Sequence, residues 1–274
     1  MRDSTREACD GDVLRSRMRE EGYVLVRDVI DPDLLREAQS DVLDALRRAG
    51  WISDDGTLQP LVDGQEDPRY WTAFTGIQAL ESFHKIAFDT RLCGIMSALL
   101  GPDVYPWPGK PPYIMWPERL GGANTHPHQE GAWPADILST WITLQEVPMH
   151  KGPLAVHPGT QKLECMPDYG YGHLDFGPDW ATTGFGGGDV LIFHNLTVHG
   201  SLPNRSDSLR LSCSFKWQSA QYPAPEVASL PARHPRVPGW DVLTEGWTST
   251  RWITPPGNAE FVPTVAAGRQ KPAW

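Results

Sequence analysis

Residue types that bind transition metals occur at a strand-like spacing near the middle of the chain. The segment Thr125-His-Pro-His-Gln-Glu130 places His128 and Glu130 two residues apart. Because alternate residues of a β-strand point to the same face, these two side chains are able to converge on one ion. A second imidazole, that of His199, follows an apolar run further along the chain. Two neutral imidazoles and one carboxylate form the facial triad of non-haem Fe(II) oxygenases.

The open positions of such a triad determine its chemistry. Three ligands on one face of an octahedron leave three positions, of which a bidentate co-substrate takes two and O2 takes the third. The His-x-Glu triplet alone is a weak signal, because it arises often by chance. A hydrogen-bonded histidine near the surface or in the core is the alternative interpretation of each imidazole.

A strictly alternating segment begins at Arg210 and ends at Trp217. In a strand, its polar residues face one side and its apolar residues the other, which suits a barrel with a polar cavity. An arginine inside such a cavity needs an anion, and the distal carboxylate of a dicarboxylate would pair with it bidentately. An arginine on an exposed strand face is the alternative. The predicted inward side chains are Arg210, Ser212, Ser214 and Lys216, and the outward ones are Leu211, Cys213, Phe215 and Trp217.

Helical patterns dominate residues 12–100, ahead of these segments. Asp31-Pro32 provides an N-cap and a first-turn proline, and Gly50 suits the end of the helix that follows. Leu35, Ala38, Val42 and Leu46 lie on one face of that helix. A short helix is predicted before Gly22, and a third helical region over residues 76–100, with a break near Asp89.

The pattern changes after residue 104 to short apolar runs separated by Gly, Pro or Asn. These predict the strands of a β-sandwich or barrel. Residues 218–274 are rich in Pro and are predicted to form an irregular wrap over the core. We therefore expect a single domain over residues 1–274, with helical support at about 12–100 and a β core at about 104–217. The runs lie at residues 113–116, 138–144, 154–157, 189–194 and 209–217.

Composition bounds the class of protein. Hydrophobic residues make up 40% of the 274 positions and 12 are Trp, so a large core is expected and global disorder is excluded. The net charge of −10 makes nucleic acid and anionic membranes poor partners. The four Cys are far apart without a Cys-x-x-Cys pair, which favours reduced thiols. With no apolar run of about 18 residues, we expect a soluble, cytoplasmic protein.

Five segments, in order, resemble the phytanoyl-CoA dioxygenase family of iron(II)/2-oxoglutarate oxygenases. The resemblance covers most of residues 15–218, and an Arg eleven residues after the distal His is part of it, since 199 + 11 is position 210. The segments are Glu21-Gly-Tyr-Val-Leu-Val-Arg-Asp-Val-Ile30, Ala98-Leu-Leu-Gly-Pro-Asp103, His128-Gln-Glu130, Lys151-Gly-Pro-Leu-Ala-Val-His-Pro-Gly-Thr-Gln-Lys162 and Gly188-Asp-Val-Leu-Ile-Phe-His-Asn-Leu-Thr-Val-His-Gly-Ser-Leu-Pro-Asn204.

The resemblance implies a fold and a ligand set. The fold is mainly β, a double-stranded β-helix (a jelly-roll, cupin-like barrel) flanked by N-terminal helices. The cofactors are Fe(II) and the co-substrate 2-oxoglutarate. Arg210 resembles the residue that binds the C5 carboxylate of 2-oxoglutarate, and Ser201 occupies the place of a serine that contacts the co-substrate in related hydroxylases. Tyr113 and Thr143 are weaker candidates for the same pocket, with strand packing as the alternative. The implied metal ligands are His128, Glu130 and His199.

One position departs from the family pattern. The family usually has His-x-Asp, whereas this chain has Glu130. Some other 2-oxoglutarate oxygenases use His-x-Glu, so the change is compatible with iron, but it leaves weakened or lost activity open. A carboxylate here also argues against halogenation, because the related halogenases replace it with a small residue.

The substrate pocket is defined only loosely. Trp133 and Trp116 are candidates for its wall, with core packing as the alternative for Trp133. His126 is expected at the rim of the site or hydrogen-bonded behind the ligands. His194 and His157 are expected to be structural, and residues 166–188 are expected to form a lid or loop over the mouth.

The expected function is oxidation, most simply hydroxylation, of an unactivated C–H bond in a small specialised metabolite, with conversion of 2-oxoglutarate and O2 to succinate and CO2. The partners are then the small-molecule substrate and O2. Two alternatives stay open: a metal-binding module that has lost turnover, suggested by Glu130, and a zinc hydrolase that uses the same triad.

Overall fold

Most of the helices lie in the N-terminal part of the chain, and four of them begin at an aspartate N-cap. The computed structural model describes residues 1–131, 136–163, 176–232 and 234–263. The side chains of Asp10, Asp31, Asp67 and Asp89 each accept backbone N–H groups of the helix that follows, which satisfies donors left over in a first turn. The α-helices are α1 (Gly11–Glu21), α2 (Pro32–Arg48), α3 (Pro68–Gln78), α4 (Glu81–Lys85), α5 (Thr90–Leu100) and α6 (Trp240–Leu243).

The predicted helix after Asp31-Pro32 is confirmed as α2. Ala38, Val42 and Leu46 are buried, as its apolar spacing predicts. The third region is divided: α4 and α5 are separated at Asp89, as predicted, but α3 begins at Pro68, eight residues earlier than expected. Asp67-Pro68 carries the same cap and first-turn proline as Asp31-Pro32, so the signal for this start was present in the sequence.

A six-stranded sheet forms the centre of the molecule. Strands β1, β6, β4, β8 and β2 are neighbours in that order, β3 also pairs with β8, and every pairing in this sheet is antiparallel. Two small sheets pair β5 with β7 and β9 with β10. The strands are β1 (Tyr23–Val26), β2 (Val104–Pro106), β3 (Pro112–Met115), β4 (Leu138–Thr143), β5 (Leu154–Val156), β6 (Val190–His194), β7 (His199–Ser201), β8 (Arg210–Ser219), β9 (Ala224–Pro225) and β10 (Phe261–Val262).

The fold class is therefore a mainly antiparallel sheet with helices at the N-terminus. Among the described residues the strand pairings leave the large sheet open, so they do not close the predicted barrel. The predicted runs at 113–116, 138–144, 154–157, 189–194 and 209–217 correspond to β3, β4, β5, β6 and β8.

The large sheet has two different faces. Leu211, Cys213, Phe215 and Trp217 of β8 join the core that the sheet forms with the helices, as the alternation predicts. The opposite face, called the inner face below, carries the even-numbered residues of β8 from Arg210 to Lys216. A second apolar cluster joins inner-face residues of β1, β4 and β6 to the strand β5: Tyr23, Leu25, Trp141, Val147, Leu154, Val156, Phe185, Leu191 and Phe193. The inner face is thus covered partly by the small β5–β7 sheet.

The C-terminal segment packs on the helices in its described part. The indole of Trp247 donates to the carbonyl of Ala79, and that of Trp252 donates to Glu81. The ammonium of Lys110, fully buried, donates to the Trp252 carbonyl at 2.7 Å. This segment is described up to residue 263 except for residue 233, and residues 264–274 lie outside the described part. No described helix has the length and apolar character needed to cross a bilayer.

Candidate metal and co-substrate site

The two candidate metal-binding histidines lie opposite each other. The backbone N–H of His128 donates to the carbonyl of His199, and the N–H of His199 donates to the carbonyl of His128, both at 2.9 Å. Directly opposed residues of an antiparallel pair place their side chains on one face. The imidazole centroids are consequently 4.3 Å apart although the residues are distant in sequence.

Backbone carbonyls orient both rings. The Nδ1 atom of His128 lies 2.8 Å from the carbonyl oxygen of His126, and Nδ1 of His199 lies 2.9 Å from that of Thr197. An oxygen with no proton to give requires Nδ1 to carry the hydrogen, so Nε2 is the ligating nitrogen in each ring. This is the arrangement that metal-bound histidines adopt in proteins.

The carboxylate of Glu130 completes the group. Its backbone N–H donates to the Asn195 carbonyl at 2.9 Å, which brings the segment against the loop after β6. Oε1 lies 3.6 Å from Nε2 of His199, and one ligand atom from each of His128, Glu130 and His199 lies within 4.8 Å of the others. Two imidazole nitrogens and one carboxylate oxygen suit Fe(II).

The electrostatics favour protonation states that bind metal. Burial raises the pKa of Glu130, but the ammonium of Lys216 and the His199 ring outweigh it and hold the pKa well below its usual range. Burial, with the neighbouring His199, lowers the pKa of His128. An ionised carboxylate and a neutral imidazole are the forms that a metal ion requires.

Arg210 lies on the inner face of β8 and is 2% exposed. One terminal guanidinium nitrogen donates to the Gly152 carbonyl at 2.5 Å, while Nε is buried with no hydrogen-bond partner among the described residues. Burial lowers the pKa of Arg210 to about 10, so it is charged at neutral pH. A buried cation with an unused donor suits a carboxylate ligand, and 2-oxoglutarate offers one at its distal end.

Tyr113 interacts electrostatically with both Glu130 and Arg210. It is opposite Ser212 in the register of β3 and β8, and its side chain is about one third exposed. The enclosure of its hydroxyl raises the pKa of Tyr113, Glu130 raises it further and Arg210 lowers it. The hydroxyl is therefore within electrostatic reach of both the carboxylate of the triad and the guanidinium.

The side chains of two other predicted co-substrate residues form hydrogen bonds with backbone groups. The buried Ser201 Oγ accepts the N–H of Thr125 at 2.8 Å. The Thr143 hydroxyl donates to the Gly186 carbonyl at 2.5 Å and so fastens a loop.

The two described residues that were predicted at the substrate pocket, Trp116 and His126, have different surroundings. Trp116 is 4% exposed, meets Trp51 edge-on at 4.8 Å, and donates to the Gln59 carbonyl within the helix-side core. The side chain of His126 is exposed, and this residue supports the site through its carbonyl. Trp133 lies outside the described residues.

Only part of the predicted lid is described, since residues 164–175 lie outside that part. Phe176 packs against Trp180 at 4.8 Å between ring centroids, and Trp180 contacts His157. A Cβ atom at Gly200 would lie 3.0 Å from the Phe176 ring and 2.8 Å from the Thr125 carbonyl. The described end of this segment thus packs closely on β7, beside His199.

Three residues at the site were not singled out from the sequence. The Nζ atom of Lys216 lies 2.6 Å from Oε2 of Glu130. Asn195 holds the segment that bears Glu130, and Trp141 packs beside the Arg210 guanidinium at 5.3 Å with its indole N–H unpartnered among described residues. The alternation of polar and apolar residues in β8 predicts that Lys216 lies on the same face as Arg210. It does not predict that Lys216 contacts Glu130.

Comparisons with known proteins identify the family. A profile of the phytanoyl-CoA dioxygenase (PhyH) family matches residues 18–212. A comparison with curated protein sequences gave no match.

Several solved structures share the fold. The non-heme monooxygenase ThoJ is 17% identical, with 76% of this chain and 78% of that chain covered and a TM-score of 0.60. The non-heme α-ketoglutarate-dependent epimerase SnoN from nogalamycin biosynthesis is 23% identical, with 77% and 83% covered and a TM-score of 0.55. EctD from S. alaskensis is 19% identical, with 80% and 77% covered and a TM-score of 0.55. Because the family profile spans most of the chain, the protein belongs to the phytanoyl-CoA dioxygenase (PhyH) family and is a 2-oxoglutarate-dependent dioxygenase with iron and 2-oxoglutarate as its cofactors.

Proposed function

We propose that this enzyme oxidises, most simply by hydroxylation, an unactivated C–H bond of a small specialised metabolite. The observation that carries the proposal is the combination of a His-Glu-His triad with a buried arginine whose Nε has no partner among the described residues. A metal triad alone suits several reactions. A buried guanidinium in the same interior adds a place for the distal carboxylate of 2-oxoglutarate.

Each residue then has a defined task. His128, Glu130 and His199 hold the metal, and Arg210 orients 2-oxoglutarate, with Tyr113 close to both. When bound, iron and 2-oxoglutarate supply the oxidising chemistry. The protein contributes orientation and a dry interior, because Leu191, Phe193 and Trp141 line the inner face beside the site.

The structural relatives support the substrate class. SnoN and the carbocyclase SnoK both come from nogalamycin biosynthesis, and the structure of EctD contains 5-hydroxyectoine. These relatives include an epimerase and a carbocyclase as well as a monooxygenase, so hydroxylation is one of several outcomes that this fold supports. We assign this chain the same general class, a small metabolite that reacts with O2.

We further propose that the two facing sheets belong to a double-stranded β-helix. The β5–β7 sheet covers the inner face of the large sheet, and the mutual hydrogen bonds of His128 and His199 add a segment beside β7. The metal ligands then lie between the two layers, where a jelly-roll enzyme holds its site.

The sequence alone left open a zinc hydrolase and an inactive metal-binding module. Nothing in hydrolysis requires a buried arginine facing the interior, so Arg210 favours the oxygenase over the hydrolase. The match to a family of 2-oxoglutarate-dependent dioxygenases favours an enzyme over an inactive module.

Succinate release measures the proposed reaction directly. The protein is incubated with Fe(II), ascorbate, 2-oxoglutarate and pools of small metabolites, and the pool that raises succinate formation is subdivided. We expect at least one pool to stimulate release, and Glu130→Ala and Arg210→Ala each to abolish it. The exposed pair Glu118→Ala and Arg205→Ala provides matched controls with wild-type release. Equal turnover in both site variants would place the site elsewhere.

A further inference from the structure

The two carboxylate oxygens of Glu130 have different partners. Oε1 lies 3.6 Å from Nε2 of His199, on the side of the metal-ligand group. Oε2 lies 2.6 Å from the ammonium of Lys216. The carboxylate is therefore divided between the histidines and a lysine of β8.

Lys216 also lies near Asn195, the residue that holds the segment presenting Glu130. Its Nζ lies 3.5 Å from Oδ1 of Asn195. The amide of Asn195 donates to the Gly131 carbonyl at 2.7 Å, and its backbone carbonyl accepts the N–H of Glu130. The lysine, the asparagine and the glutamate thus form one network anchored on the backbone at residues 130 and 131.

The length of the glutamate makes such a partner necessary. Glu has one more rotatable bond than Asp and retains more freedom to turn both oxygens to a metal ion. A carboxylate that ligates through both oxygens takes two positions of the ion. With the two imidazoles it would leave two open, and 2-oxoglutarate alone would fill them.

We propose that Lys216 is a positioning residue that occupies Oε2 of Glu130, restricts this residue to ligation through Oε1, and so keeps three metal positions open. The ammonium satisfies the second oxygen and repels a divalent ion that approaches it. The inference rests on the proposed function, because it concerns how the triad accommodates 2-oxoglutarate. It also accounts for a glutamate where the family usually has an aspartate.

Binding of 2-oxoglutarate tests the role of Lys216 without turnover. Protein saturated with Fe(II) under anaerobic conditions is titrated with 2-oxoglutarate, and its visible charge-transfer band gives the affinity. Lys216→Met removes the ammonium and keeps an unbranched stem, and it is expected to weaken binding by about tenfold or more. Lys216→Arg retains a charged donor and is expected to restore most of the affinity. The exposed Lys162→Met is the matched control.

A double-mutant cycle separates contact from charge. Glu130→Asp withdraws the carboxylate from Lys216, so a further Lys216→Met change should alter the affinity by less than about twofold in that background. A lysine that acted only through its long-range charge would give the same loss in both backgrounds, and that result would overturn the proposal. So would a Lys216→Met protein with wild-type affinity.

Further controls separate a folding defect, and a failure of the proposed function, from a failure of this inference. If Lys216→Met does not fold, as judged by circular dichroism, Lys216→Gln takes its place in the cycle, with the same expected and contradicting results. A wild-type protein without the band contradicts the proposed function together with this inference. A wild-type band with no loss in the Lys216 variants contradicts the inference alone.

Discussion

At the scale of single residues, the site depends on what each polar atom is already bound to. The Nδ1 atoms of His128 and His199 lie on backbone carbonyls, so both rings present Nε2. Arg210 has the opposite character, because it is buried with one donor unused among the described residues. The first arrangement prepares ligands in advance, and the second leaves a charge that only a bound anion satisfies well.

Arg210→Met is expected to separate binding from stability. Loss of the charge-assisted bonds to 2-oxoglutarate should weaken its binding by about a hundredfold, at about 1.5–3 kcal/mol for each bond. Without 2-oxoglutarate, the variant should unfold at the same or a higher temperature, because a buried and incompletely satisfied charge is replaced by an apolar side chain. Calorimetry with and without 2-oxoglutarate measures both effects, with Arg205→Met as the exposed control. A large loss of stability without ligand would contradict this account of Arg210.

The residue types at the site were predictable, but their pairings were less so. The spacing of His128 and Glu130, and the position of Arg210 after His199, are properties of the sequence. The contact of Lys216 with Glu130 depends on how the 125–131 segment packs near β8, which brings together residues 86 positions apart. The role of Trp116 was not predictable for a related reason, since an apolar aromatic residue suits a core and a pocket equally.

At the scale of elements, Trp116 belongs to the contact between α3, the preceding loop and the sheet. Trp116→Ala should destabilise the protein by about 3–5 kcal/mol, because it removes a large buried ring together with its bond to the Gln59 carbonyl. The affinity of the folded variant for 2-oxoglutarate should match that of the wild type. Urea unfolding and anaerobic titration measure the two quantities. A stable variant with altered 2-oxoglutarate binding would instead place Trp116 at the pocket.

Lys110 binds the C-terminal segment, and its burial disfavours the charged form of its side chain. Burial lowers the pKa of Lys110 from 10.5 to about 7, and His84, Phe88 and the carbonyls of Pro108 and Trp252 surround it. Between these two values the unfolded chain binds a proton that the folded protein does not. The contribution of Lys110 to stability therefore rises as the pH is raised from about 7 to 10.5, and falls as the pH is lowered through this window.

The difference between the wild type and Lys110→Met isolates this effect from other titrating groups. The free energy of unfolding of the wild type minus that of the variant should rise by up to about 1.4 kcal/mol per pH unit above pH 7. Chemical denaturation at several pH values measures it. The exposed Lys162→Met protein should give a difference that does not vary with pH. A flat difference for Lys110→Met would show that Lys110 remains charged in the folded protein.

The start of a helix was predictable from the sequence where a capping residue marks it. Asp31-Pro32 predicts the start of α2. The equivalent pair Asp67-Pro68 carries the same signal for the start of α3. The alternation of β8 predicted both of its faces, because one face packs on helices and the other faces the site. Sheet order was not predictable, since β8 pairs with β2, β3 and β4 through contacts between distant segments.

At the scale of the whole molecule, one sheet separates two environments. Helices cover one face and provide the main core, while the inner face carries a smaller apolar cluster and the charged site. The acidic net charge predicted nothing about the reaction. The short apolar runs separated by Gly, Pro or Asn predicted the strands, but not how the fold brings His128 and His199 together.

The central claim is that the triad and Arg210 bind Fe(II) and 2-oxoglutarate together. Its most direct measurement is the visible absorption of the wild-type protein after Fe(II) and 2-oxoglutarate are added without O2. We predict a charge-transfer band that requires both additions, is lost in His128→Ala, and persists in His126→Ala, whose side chain is exposed. A folded wild-type protein that binds Fe(II) but shows no band with 2-oxoglutarate, or a band that survives in His128→Ala, would contradict the account.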